Sequence, residues 1–97
     1  METFISFGNY TQQGIANMKD SPARLEAVRA AIESTGGRLV AFYLTLGRYD
    51  FVVISEAPNA AVATTVVIAA GAQGNVRTET LRAFTEEEYQ GIVANLP

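Results

Sequence analysis

The strongest constraint in this chain is the order in which two periodicities follow one another. Thr3 to Tyr10 carries Phe4, Ile5, Phe7 and Tyr10 and no charge, the pattern of a strand buried on both sides. Thr11 is placed to cap a short helical turn through Gln12 to Met18, weakened by Gly14. Ser21-Pro22 then offers a cap and a pre-set φ, and Leu25, Val28 and Ile32 fall on one helical face until Gly36-Gly37 stops it. Leu39 to Leu46 alternates Val40, Phe42 and Leu44 with Ala41, Tyr43 and Thr45, a second strand, and Phe51 to Glu56 reads as a third. Gly47-Arg48 between them suits a two-residue type II′ hairpin turn.

Asn59 is a cap for a second helix, Ala60 to Ala70, ended by Gly71. Its Thr64-Thr65-Val66-Val67-Ile68 run favours strand on propensity, but the alanines around it and the cap favour helix. The helix is apolar or small nearly all round, so it should be covered on more than one side. Val76 to Phe84 is a fourth strand. Thr85 and Glu88 form a capping box for a C-terminal helix, with Phe84 and Tyr89 at staple positions and three glutamates at the positive end of its dipole.

Strand, helix, strand, strand, helix, strand is the order of the ferredoxin-like, split βαβ unit in an α+β fold. Right-handed crossovers place both long helices on one face of a four-stranded antiparallel sheet, strands one and three in the centre. The other face needs a cover, and a second copy packed there makes a dimeric α+β barrel with a ligand cleft between sheet and partner. Alternation assigns to that open face Phe4, Ser6, Gly8 and Tyr10, then Tyr43 and Thr45, then Asp50, Val52 and Ile54, then Thr78, Thr80 and Arg82.

Composition narrows the chemistry. Ninety-seven residues fit one domain, 1–97, and only 18% are charged, too little to cover a free monomer, so a homo-oligomer is expected. A net charge of −3 argues against nucleic acid and anionic membrane as partners. The absence of cysteine and histidine removes thiolate nucleophiles, zinc–thiolate sites and the usual near-neutral proton shuttle, and no metal or cofactor is expected. The N-terminus lacks a signal-peptide pattern and the longest uncharged stretch, Ala57 to Val76, is broken by polar residues and glycines, so a cytoplasmic protein without a membrane span is expected.

The polar residues on the assigned open face are the candidate ligand-binding set: Tyr10, Tyr43, Asp50, Thr78, Thr80 and Arg82. Asp50 and Arg82 are expected at one end of the sheet as an ion pair, with Tyr10, Arg77, Arg38 and Glu56 at the other. Three uses of this surface follow. It can hold a small polar or anionic metabolite, with an arginine clamp and tyrosine donors. It can serve a cofactor-independent enzyme, with Asp50 as general base and Tyr10, Tyr43 or Tyr49 as oxyanion donor. Alternatively the chain is a self-assembling scaffold with the uncharged second helix as a further contact.

Gly47, Tyr49 and Asp50, with Gly74-Asn75-Val76-Arg77-Thr78-Glu79-Thr80-Leu81-Arg82-Ala83-Phe84, resemble the GYD-domain family, small prokaryotic proteins. Gly14, Ser21-Pro22 and Leu25 to Val28 fit the same pattern, so the likeness covers nearly the whole chain, with a departure in the non-acidic helix start at Pro58-Asn59-Ala60-Ala61. The resemblance implies a relative of the dimeric α+β barrels, which include cofactor-independent monooxygenases, muconolactone-type isomerases and ligand-sensing modules. It implies no particular activity.

Overall fold

A computed structural model describes residues 1–97. Its elements are β1 (Glu2–Tyr10), α1 (Gln12–Ala16), α2 (Ser21–Ser34), β2 (Arg38–Leu44), β3 (Phe51–Ala57), α3 (Ala60–Ala72), β4 (Val76–Ala83) and α4 (Glu86–Ala94), with a 3₁₀ turn at Met18–Asp20. The sheet is antiparallel in the order β2-β3-β1-β4, and α2 and α3 lie together over one face: the expected ferredoxin-like α+β arrangement. The caps at Thr11 and Asn59 form as the residue types dictate, accepting from the amides of Gly14 and Val62. The α3 conflict resolves as helix because Thr64 and Thr65 bond their own hydroxyls to the carbonyls of Ala60 and Ala61.

Three local expectations are corrected. Ser21 does not cap α2; Asp20 precedes the helix without a side-chain cap bond, because the 3₁₀ turn leads straight into it. The β2–β3 connection is longer than a two-residue turn, since the Thr45 amide bonds the Asp50 carbonyl and leaves residues 46–49 as the loop, with Gly47 at φ +97°. Gly71 lies within α3, and the chain reverses at Gly74, where φ is +84°.

The face assignment also changes for half of the sheet. Phe4 pairs with Ser55 and Arg82, Ser6 with Val53 and Thr80, and Gly8 with Phe51 and Thr78. This set, with Tyr10, points to the helix layer. The face without helices instead carries Ile5 and Phe7 from β1, Val52 and Ile54 from β3, Leu81 from β4, and Ala41 and Tyr43 from β2. Tyr43, Val52 and Ile54 thus lie where alternation put them, while Phe4, Ser6, Gly8, Tyr10, Thr78, Thr80 and Arg82 are on the opposite face. A bulge between Leu39 and Ala41 brings Leu39 and Phe42 to the same, helix-covered side, which strict alternation in β2 had hidden. Polarity misled because the helix-covered face holds small and hydroxyl side chains, whereas the bulky aliphatic ones face out.

Only seven residues are buried, none of them with a fully enclosed large side chain, and the hydrophobic ones are Phe4, Ile32, Leu39, Phe51 and Ala57. The helix layer is therefore a thin cover, with Phe51 at its centre stacked on Phe42, tilted against Tyr10 and lying over Gly8. The radius of gyration is 14.6 Å, against about 12.5 Å for a compact chain of this length. The excess comes from α4, which has few contacts with the sheet and leaves Tyr89, Ile92, Val93 and Leu96 exposed, Phe84 included, so the staple does not close.

Two glycines give opposite tests of this packing. A Cβ at Gly14 would meet the Asn75 carbonyl oxygen at 2.1 Å, whereas one at Gly71 would meet nothing. Gly14→Ala is expected to cost about 1–3 kcal/mol in chemical denaturation, and Gly71→Ala to stabilise by up to about 1 kcal/mol.

Candidate functional site

Two features can bind something, one on each side of the sheet. Between the sheet and helices α2 and α3 lies a cavity of about 200 Å³. Its origin is in the sequence: α2 and α3 turn Ala27, Ala31, Ala63 and Ala70 inward, and β1 and β4 answer with Ser6, Thr78 and Thr80, so facing side chains are too short to meet. Ser6 Oγ and Thr80 Oγ1 hydrogen-bond each other at 2.9 Å across neighbouring strands. At the end where β1 finishes, Tyr10 Oη lies 3.4 Å from Ser21 Oγ. One helical turn on, Arg24 lines the same cavity; its Nη1 donates to the Asn17 carbonyl at 3.0 Å, and its Nη2 is buried with no partner.

On the uncovered side, Ile5, Phe7, Val52, Ile54 and Leu81 form an apolar surface, Leu81 being 47% exposed. Charges of both signs edge it. Arg38 pairs with Glu56 at 2.6 Å, and Glu79 accepts from Tyr49 Oη at 3.1 Å. The Tyr49 ring packs on Phe7, centroids 4.9 Å apart, and Arg48 lies 5.5 Å from the Tyr49 centroid.

The six candidate residues separate into three places. Tyr10, Thr78 and Thr80 line the helix-side cavity, and Tyr43 stands on the uncovered face, 60% exposed. Asp50 and Arg82 lie at opposite ends of the sheet, not as an ion pair. Both β3 and β4 run antiparallel to β1, hence in the same direction, so the start of β3 cannot neighbour the end of β4. By the same geometry Arg38 and Glu56 sit at the Arg82 end and only Arg77 stays with Tyr10.

Asp50 extends the β1–β3 ladder: its amide donates to the Gly8 carbonyl at 2.8 Å and its Oδ2 accepts from the Tyr10 amide at 2.9 Å. It does not line the cavity, so the general-base role considered for it has no substrate within reach. Arg82 is also committed. It pairs with Glu2 at 3.6 Å and Glu88 at 3.3 Å, bonds the Ala83 carbonyl and covers the Phe84 ring at 4.5 Å. The residues that sequence reasoning missed are Ser6, Ser21 and Arg24. Arg24 lies four residues before Val28, adjoining the Leu25–Val28–Ile32 stripe, and that spacing is the signal that could have found it.

The fold and these two surfaces define a small ferredoxin-like α+β protein with a helix-side cavity and an uncovered sheet face. The GYD domain model matches residues 4–93, and the chain belongs to that family. It is 37% identical over 85 residues, 87% of this chain and 90% of the other, to the glutamine synthetase and cystathionine beta-lyase binding protein of Thermus thermophilus. The crystal structure of TTHA0845, from the same organism, superposes with a TM-score of 0.54 at 24% identity, covering 88% of this chain and 95% of that one, a likeness of fold. No helix is long and apolar enough to cross a membrane.

The Thr85 amide, which donates to Glu88 Oε1, and then the Arg82 guanidinium hold the Glu88 carboxyl below the usual carboxylate range. A depressed folded pKa means that the stabilisation of α4 is complete above the unfolded value and is lost as pH falls through the folded one. The protection of amides 86–94, once corrected for the intrinsic pH dependence of exchange, is expected to hold down to pH about 4.3 and to fall below it, and Glu88→Gln to abolish that acid step.

Proposed function

We propose that two copies of this chain pair through their uncovered sheet faces as a dimeric α+β barrel, and that the pair acts in the cytoplasm as a regulatory binding protein for a metabolic enzyme, with a small metabolite as its input. The observation that carries the pairing is the outward set Ile5, Phe7, Val52, Ile54 and Leu81, which holds the isoleucines and the leucine of β1, β3 and β4 and is covered by no helix or strand of the chain. A surface of this kind on a thinly packed domain is stabilised by a partner. A second copy fits it because its rim carries both signs of charge, Arg38 and Glu56 as a pair at one end and Arg77 and Glu79 toward the other. Tyr43, on this face, then becomes a contact between copies.

Support for the enzyme-binding role comes from the Thermus thermophilus relative, whose name records binding to two enzymes. The arms of the pair are suited to such a partner: α4 holds Tyr89, Ile92, Val93 and Leu96 away from the sheet. Within the candidate set, Tyr10, Thr78 and Thr80 are the proposed ligand contacts, while Asp50 and Arg82 hold the ends of the sheet.

Native mass spectrometry at micromolar concentration is expected to give twice the chain mass, and Leu81→Lys or Ile54→Lys to give single chains with an unchanged far-UV spectrum. Native single chains overturn the pairing. On a sizing column the protein is expected to co-elute with purified glutamine synthetase or cystathionine beta-lyase, and Ile92→Glu to weaken that complex; separate elution from both enzymes contradicts the regulatory role.

A further inference from the structure

The helix-side cavity has a property that an ordinary packing defect lacks. Its walls are mostly apolar, from Phe51, Val53, Val66 and Val67, and its volume of about 200 Å³ exceeds the ~150 Å³ of an apolar protein cavity that takes up benzene. At one end of it Arg24 belongs to the lining. Arg24 spends Nη1 on the Asn17 carbonyl, but its Nη2 is buried and has no acceptor. Arginine cannot lose its proton near neutral pH and has no acceptor of its own, so a buried, unpaired N–H of this kind requires an oxygen from elsewhere. The nearest end of the cavity supplies hydroxyls, Tyr10 and Ser21, and no carboxylate pairs with Arg24.

We propose that this cavity binds a small organic acid with a compact apolar body, its carboxylate on Arg24 and on the Tyr10 and Ser21 hydroxyls, its body against Phe51 and the α3 valines. The charge chooses the head group: an ionised acceptor on a buried arginine gains more than a neutral one, and the fork geometry fits a carboxylate. The walls choose the body, since most of the lining is apolar; apart from Arg24 and Glu56, its polar members, such as Ser6, Thr35, Ser55, Gln73, Asn75, Thr78 and Thr80, are uncharged. This site rests on the metabolite-input part of the reading above and on neither the pairing nor the enzyme contact. It lies between α2, α3 and the sheet of a single chain, so its occupancy is coupled to the helix layer and not to the uncovered face.

The test uses benzoate, phenylacetate and hexanoate as probes, with benzamide as a neutral match for benzoate, in calorimetric titrations of the full chain. At least one acid is expected to bind saturably, one per chain, more tightly than benzamide binds. Arg24→Met is expected to weaken that acid roughly ten- to a hundredfold. Because Arg24 also holds the Asn17 carbonyl, a second variant fills the cavity instead: Ala63→Leu is expected to abolish binding while the thermal unfolding transition stays cooperative. Failure of all three acids to bind at millimolar concentration, or equal binding of benzamide, overturns the proposal. An acid that binds both variants as tightly as the native chain overturns this site while leaving metabolite sensing elsewhere on the protein intact.

Discussion

Everything in this fold depends on how side-chain bulk is divided between the two faces of one sheet. In β1 the residues under the helices are Phe4, Ser6, Gly8 and Tyr10, and those on the far side are Ile5, Phe7 and Asn9; in β4, Thr78 and Thr80 face in while Leu81 faces out. A sheet with its larger aliphatic groups turned away from its own helices buries too little by itself, which is why only seven residues are buried. The same division leaves space beneath the helices, because α2 and α3 meet small residues with alanines. An underfilled inside and an over-apolar outside are thus one fact with two consequences, a cavity within the chain and a surface that calls for a second chain.

The polar residues do a different kind of work from the one their exposure in the sequence suggests. Asp50 ties the loop after Gly47 to the end of β1 through Gly8 and Tyr10, while Tyr49 turns back onto Phe7, so the glycine, tyrosine and aspartate of that loop are respectively the turn, a partial cover for the outer face and a ladder extension. At the other junction Thr11 Oγ1 donates to the Gly74 carbonyl at 2.6 Å and its amide to the Asn75 carbonyl, drawing α1 onto the start of β4 so closely that only glycine fits at position 14. Arg82 closes the far end between Glu2 and Glu88. Charges and hydroxyls at these points fasten ends of elements, and the group left without such employment, Arg24 Nη2, belongs to a residue that lines the cavity.

Element order, the helix and strand types and the capping box at Thr85 were legible in the residues because each rests on local rules: periodicity, cap chemistry, glycine at a reversal. The topology followed from the order of elements and the handedness of crossovers. Which face of β1 met the helices was not legible, since Phe4 and Ile5, or Ser6 and Phe7, present apolar and small groups to both sides and period two alone has no sign. The bulge at Leu39–Ala41 erased the alternation that β2 could have contributed. Three of the six candidate residues stay together for a physical reason: Tyr10, Thr78 and Thr80 share a face whichever side that face is on. Asp50 and Arg82 were paired by assuming neighbours where strand direction places them at opposite ends.

The account stands or falls on whether the outer face of the sheet is shared between two chains. Mixing isotope-labelled and unlabelled protein, then recording magnetisation transfer between chains, reads this directly at the Ile5, Ile54 and Leu81 methyl groups. Transfer from these methyls to protons of the other copy is the expected result. Methyls in contact with water alone, in a chain that remains folded, would contradict it.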